Sequence, residues 1–115
     1  VCKFFIYFGV NIDHYAKILS SLTGFDVDGE KLLKIGERTF NLQKLINVRE
    51  GFNKKDDEIP ERMKKMPLFG KYKDQVGCEI KDYSLMLREY YIERGWDVDT
   101  GVPKESKLKE LGILK

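Results

Sequence analysis

The chain has 115 residues, 42% hydrophobic and 35% charged, with a formal net charge of +2. That length limits it to one domain with a modest core, and the near-neutral balance gives no bulk case for a nucleic-acid or anionic-membrane partner. No stretch reaches the ~18 consecutive apolar residues of a membrane span. Two cysteines, Cys2 and Cys78, lie far apart. They make neither a disulfide framework nor a C-x-x-C knuckle, and they point to free thiols in a reducing compartment, the cytoplasm.

Residues 1 to 10 are nearly all apolar, with Lys3 as the one charge. Periodicity does not separate strand from helix there, but the face requires cover. A chain that opens in such a run reads as a fragment of something longer. Asn11 to Thr23 reads as a helix: Asn11 is a candidate N-cap, Asp13 suits the first turn, and Gly24 is the expected stop. Tyr15, Ile18, Leu19 and Leu22 form its apolar stripe.

Asp28 is a candidate cap for a long helix over about Glu30 to Arg49, closed by Gly51. Its apolar surface, from Leu32 to Ile46, is broad enough to predict burial on more than one side. Gly36 within it suggests close approach of a neighbouring backbone. A charged elbow follows, then a short helix led by Pro60 and running to Met66. Pro67 to Cys78 reads as loop, with an extended piece over Val76 to Ile80. Asp82 to Arg94 is the third long helix, with Tyr83, Met86, Leu87 and Tyr90 as its stripe. Gly95 stops it and Trp96 packs back on it. A last helix, Lys104 to Leu111, turns Leu108 and Leu111 inward. The fold class is all-α: an irregular helical domain of about three main helices and two short ones, residues 1–115 forming one domain.

Few residues suggest chemistry. His14 flanks a helix stripe and reads as packing or solvent-facing. Arg49, Glu50, Asp56, Asp57 and Arg62 read as an ion-pair lock between helix end and elbow. Asp26, Asp28, Asp97 and Asp99 lack the Gly of a calcium loop and read as turns and caps. Cys78 reads as a small buried or half-buried hydrophobe. Arg62, Lys64, Lys65, Lys71 and Lys73, with Phe69 and Tyr72 between them, offer a nucleic-acid alternative diluted by Glu58, Glu61 and Asp74.

Two stretches carry a family likeness. G-E-R-T-F-N-L-Q-K-L-I-N-V-R-E-G-F runs from Gly36 to Phe52, followed by Asp56, Asp57, Pro60 and Arg62. M-L-R-E-Y-Y-I-E-R-G-W-D runs from Met86 to Asp97, followed by G-V-P-K-E-S-K-L-K-E-L-G from Gly101 to Gly112. Both resemble the C-terminal region of the aldehyde:ferredoxin oxidoreductases, the tungsten-pterin enzymes. The resemblance implies part of an oxidoreductase that converts aldehyde and water to carboxylate. Its cofactors would be a tungsten (or molybdenum) bis-pterin and a [4Fe–4S] cluster, with electrons passing to ferredoxin. Its partners would be the remaining domains of the same enzyme, ferredoxin and the aldehyde, with a homodimer left open and no membrane.

The family has a D-x-x-G-L-C element whose Cys is a cluster thiolate and which helps to grip the pterin. Cys2 falls at that Cys and Val1 at the preceding Leu, a mild departure. The resemblance thus makes Cys2 a metal ligand and Val1 a cofactor-binding residue, with no catalytic residue in this chain. A [4Fe–4S] cluster needs four thiolates. With two cysteines, the fragment alone is expected to hold no cofactor and to be inactive. The alternative is a non-catalytic helical module for protein or nucleic-acid interaction.

Overall fold

A computed structural model gives the structure of the chain and describes residues 3–115. Five helices follow in order: α1 (Ile12–Thr23), α2 (Gly29–Arg49), α3 (Glu61–Lys64), α4 (Tyr83–Glu93) and α5 (Glu105–Glu110). Short 3-10 helices cover Lys3–Phe8 and Lys54–Asp57. The described residues form no strand, and one antiparallel bridge pairs Trp96 with Pro103. The all-α reading, three longer helices and two short ones, therefore holds. The extended piece expected over Val76 to Ile80 is instead a series of turns. Gly77 at φ +94° curls the backbone, and Cys78 N–H donates to the Gln75 carbonyl at 3.2 Å. The chain divides into two compact units, residues 1–42 and 43–115.

In the first unit, Asn11 caps α1 as expected, its side chain accepting from His14 N–H at 3.2 Å. His14 Nδ1 accepts in return from Asn11 N–H at 3.2 Å. Gly24, in the left-handed region at φ +73°, sends its N–H to the Ser20 carbonyl and ends the helix. Ser20 Oγ then donates to the Val27 carbonyl at 2.8 Å, setting the turn into α2. Asp28 caps α2 through Lys31 N–H at 2.8 Å. The close approach between α1 and α2 is at Gly29, where an added Cβ would lie 2.3 Å from Asp13 Oδ1. It is not at Gly36, which is exposed with nothing within 4 Å of such a Cβ.

The apolar faces of this unit are largely uncovered. Ala16 is its buried hydrophobic residue, while Ile18 and Leu22 of the expected α1 stripe stand exposed. Leu33, Ile35 and Phe40 of α2 are exposed, as are Phe4 to Phe8. The burial of α2 on more than one side is thus not met among the described residues. Along α2 the buried side chains are Asn41 and Lys44, polar residues that periodicity does not mark.

The second unit builds a core. Leu87, Tyr91 and Trp96 cluster, with Tyr83 and Val98 packed against them. Asp82 caps α4 through Leu85 N–H, 2.9 Å. The α4 stripe is rotated from the expected one: Tyr83, Leu87 and Tyr91, spaced i, i+4, i+8, turn inward, while Met86 and Tyr90 stay exposed. Gly95 ends α4 in a Schellman arrangement, with Gly95 N–H on the Ile92 carbonyl and Trp96 N–H on the Tyr91 carbonyl. The Trp96 ring then lies 5.9 Å from that of Tyr91, the hydrophobic contact this motif favours. Gly51 ends α2 in the same way, through Val48 and Asn47. On α5, Leu108 is buried and Leu111 beside it, as expected.

Candidate functional site

The described residues gather their polar groups around Asp57. This carboxylate lies on the short 3-10 helix that Asn53 caps, its side chain accepting from Lys55 N–H at 3.1 Å. Asp56 caps the opposite way, accepting from Asn53 N–H at 2.8 Å, and so leaves its neighbour to face inward. Asp57 Oδ2 accepts from the Tyr91 hydroxyl at 2.5 Å and pairs with Lys44 Nζ at 2.6 Å. The Tyr83 hydroxyl donates to the Asp57 backbone carbonyl at 2.5 Å. Lys44 Nζ also sits 5.1 Å from the Trp96 ring centroid, a cation–π contact at a buried amine. One aspartate thus ties the end of α2, the elbow and α4 into one unit.

The backbone respects this node. Gly101 has φ +72°, and an added Cβ would lie 2.9 Å from Tyr91 Oη and 3.3 Å from Asp57 Oδ2. Lys54 adds a second tie, donating to the Val98 carbonyl at 2.8 Å. The loop after α4 is set by Asp97, whose carboxylate accepts from Thr100 Oγ1 and Thr100 N–H, both at 2.8 Å, and from Asp99 N–H at 3.1 Å. Between elbow and loop lies a cleft of about 600 Å³, with Val48, Phe52, Lys54, Thr100 and Val102 among its walls.

The electrostatics suit holding rather than proton transfer. Burial pushes the Tyr91 phenol well above the ordinary tyrosine value, and the Asp57 carboxylate it donates to pushes it further. Burial raises Tyr83 too, with the charges of Glu58 and Asp57 adding to it. The hydrogen bond from Thr100 Oγ1 holds the Asp97 carboxyl below the usual range, with Thr100 N–H adding to it. The phenols stay neutral and Asp97 stays charged across the physiological range.

The expected ion-pair lock is present in outline but with other members. Arg49 pairs with Glu50 at 2.9 Å on the exposed surface. The partner that Asp57 takes is Lys44, thirteen residues earlier. His14 is a capping residue and exposed. Asp28 caps a helix and Asp97 sets a turn, as read, while the Asp26 carboxylate pairs on the surface with Lys31 at 3.2 Å. Cys78 is exposed and free rather than buried, because the turn around Gly77 carries it outward. Cys2 and Val1, the ligand and cofactor residues implied by resemblance, lie outside the described residues. Among the described residues, no three His, Cys, Asp or Glu side chains gather into a group that could hold a metal ion.

Comparison with known proteins gives this arrangement a setting. The family model for aldehyde ferredoxin oxidoreductase, domains 2 and 3, matches residues 1–113. The chain belongs to the aldehyde ferredoxin oxidoreductase family. Its relatives include the tungsten-containing aldehyde ferredoxin oxidoreductase of Pyrococcus abyssi, 40% identical over 111 residues, which cover 95% of this chain and 18% of that protein. The protein of the same name from Thermococcus kodakarensis is 39% identical over 113 residues, covering 96% and 18%. An aliphatic sulfonate oxidoreductase, WOR-like subunit, of Pyrococcus furiosus is 33% identical over 100 residues, covering 82% and 16%.

Among solved structures, the active-site complex BamBC of benzoyl coenzyme A reductase, in complex with 1,5-dienoyl-CoA, is similar with a TM-score of 0.68. It is 25% identical, over 90% of this chain and 14% of that one. The chain spans about 18% of the length of the aldehyde oxidoreductases it matches. Asp57 belongs to the first of the two stretches that carry the family likeness, and Tyr91 and Trp96 belong to the second.

Proposed function

We propose that residues 1–115 act as the C-terminal helical domain of a longer enzyme that oxidises aldehydes to carboxylic acids. The overall change is RCHO + H2O → RCOOH + 2 H+ + 2 e−, with the electrons passing to ferredoxin in the cytoplasm. The cofactors would be a tungsten (or molybdenum) bis-pterin, which supplies the redox chemistry when bound, and a [4Fe–4S] cluster. What supports this reading is the match over residues 1–113 to the family model, together with aldehyde oxidoreductases about 40% identical to the chain. In it, Cys2 supplies one cluster thiolate and Val1 lies against the pterin, while the Asp57 node keeps the helices in place. The chain by itself would carry no cofactor and no activity.

The test is aldehyde-dependent reduction of a viologen dye by the full-length protein, purified anaerobically, with tungsten measured by mass spectrometry. Aldehyde turnover with tungsten bound, and loss of the cluster's electron paramagnetic resonance signal in Cys2→Ser, are the expected results. Turnover of aliphatic sulfonates in place of aldehydes would favour a second reading, which rests on the 33% identical sulfonate oxidoreductase subunit. A full-length protein without cluster or turnover would leave a non-catalytic helical module.

A further inference from the structure

The segment from Arg62 to Val76 holds five cations against one carboxylate, a local +4, whereas the whole chain is +2 and its remainder is net acidic. Lys64 is spent internally, donating to Glu58 and Glu61 at 2.9 Å each. Its backbone carbonyl accepts from Ile80 N–H at 3.1 Å, and Asp74 N–H donates to the Pro67 carbonyl at 3.1 Å, so the loop is closed on itself. The other cations face outward. Among the described residues, none of the ion pairs involves Arg62, Lys65 or Lys71, and Lys73 reaches only Asp74, at 3.9 Å. Lys71 lies 5.6 Å from the Tyr72 ring centroid.

Large apolar side chains alternate with these cations. Leu68 is 78% and Phe69 85% exposed, and Met63 is exposed beside them. Together with Arg62, Met66 and Pro67 they line a groove of about 540 Å³. Methionine-lined apolar grooves ringed by charge suit adaptable protein contacts. Phosphate backbones call instead for cations with several stacking platforms, whereas Phe69 is the one ring in the groove's lining, beside Met63, Met66, Pro67 and Leu68.

We propose that the Arg62–Val76 loop is a docking surface for a small acidic protein with an apolar rim. Its cations would steer the encounter and its Met63–Phe69 groove would seat the rim. Encounters of electron-transfer partners are small and weak, which a loop of this extent can provide. Naming that partner as the electron acceptor rests on the oxidoreductase reading above; the surface itself does not.

The experiment measures binding of a small acidic ferredoxin to the full-length protein by calorimetry, without aldehyde, at low and high salt. Wild type should bind at low salt and weaken as salt rises. Lys65→Glu/Lys71→Glu should weaken binding about tenfold or more. Phe69→Ser should weaken it with little change in salt dependence. Viologen reduction should be unchanged in both variants, which separates failure of docking from failure of the aldehyde reading. Equal binding by the charge-reversed variant, or binding indifferent to salt, would overturn the proposal. So would salt-sensitive capture of a single-stranded oligonucleotide that these substitutions abolish while ferredoxin binding persists.

Discussion

Residues 43–115 and residues 1–42 differ in whether their apolar side chains build a core. The larger unit turns part of its aromatic set inward, with Tyr91 fully buried, Trp96 nearly so and the polar atoms brought in with them partnered, while Phe52, Phe69 and Tyr72 stay exposed. The smaller unit has well-made helix ends and a tight turn, yet it leaves Phe4 to Phe8, Leu22 and Leu33 open. Capping and turn chemistry are local and can be complete without a core. Burial is not local, and exposed apolar surface of this extent is typical of interaction faces. The larger unit carries its own means of cohesion, whereas the smaller one presents a face for something else to cover.

The sharpest way to break that contrast is to remove the core of the larger unit. Trp96→Ala should cost about 3–5 kcal/mol, from lost burial and the cavity left behind. Chemical denaturation followed by circular dichroism should show it as an early loss of helix; a loss under 1 kcal/mol would mean that the unit does not rest on this cluster. Next comes the polar centre. Asp57→Ala should cost about 2–3 kcal/mol, since it strands a buried Lys44 amine and the Tyr91 hydroxyl. Asp57→Asn should cost less, because an amide oxygen can still accept from Tyr91.

The pH dependence sharpens the same comparison. The Tyr91 phenol is raised above its ordinary value in the folded state. Its contribution is therefore complete below the unfolded tyrosine pKa of about 10 and is lost as pH rises beyond it. Tyr91→Phe should reduce that alkaline decline, leaving the part that the raised Tyr83 contributes, as read by stability curves taken between neutral pH and strong alkali. The sign is opposite for Asp97, whose folded pKa is depressed. Its contribution is present above the ordinary aspartate range and fades as pH falls through the lowered folded value, and Asp97→Asn should flatten that acid limb. The smallest effect belongs to the open unit. Leu33→Ser on the isolated 115-residue chain should change stability by less than about 0.5 kcal/mol. In the full-length protein the same change should cost more than about 1 kcal/mol if that face is covered.

Much of the helical plan could be read from residue order. Asn11, Gly24, Gly51, Asp82 and Gly95 act within a turn of where they stand, so the chain itself discloses the ends they set. The α4 stripe came out rotated because periodicity weighs Met86 and Tyr90 as heavily as Tyr91. What selects Tyr91 is a carboxylate 34 residues away. Lys44 escaped for a related reason: a lysine in a helix reads as surface, and only the partnership with Asp57 and Trp96 makes its burial affordable. The nearest sequence signal was the D-D pair of the first matched stretch, which pointed to Asp57 without naming its partner. Gly36 shows the reverse error, a residue suited to close approach that nothing among the described residues approaches. Val1 and Cys2 rest on likeness to a family and not on local pattern, because nothing in an apolar run distinguishes a ligand thiol from a packed one.

The enclosure of Lys44 has a chemical consequence. An amine with 8% of its side chain exposed, held 2.6 Å from a carboxylate and beside an indole ring, is shielded from acylating reagents and from proteases that cut after lysine. Lys73 and Lys81, 61% and 73% exposed, have no such shelter. Brief amine labelling should mark those two well before Lys44 and reach Lys44 only when the end of α2 parts from the elbow, so the residue serves as a built-in reporter of that opening.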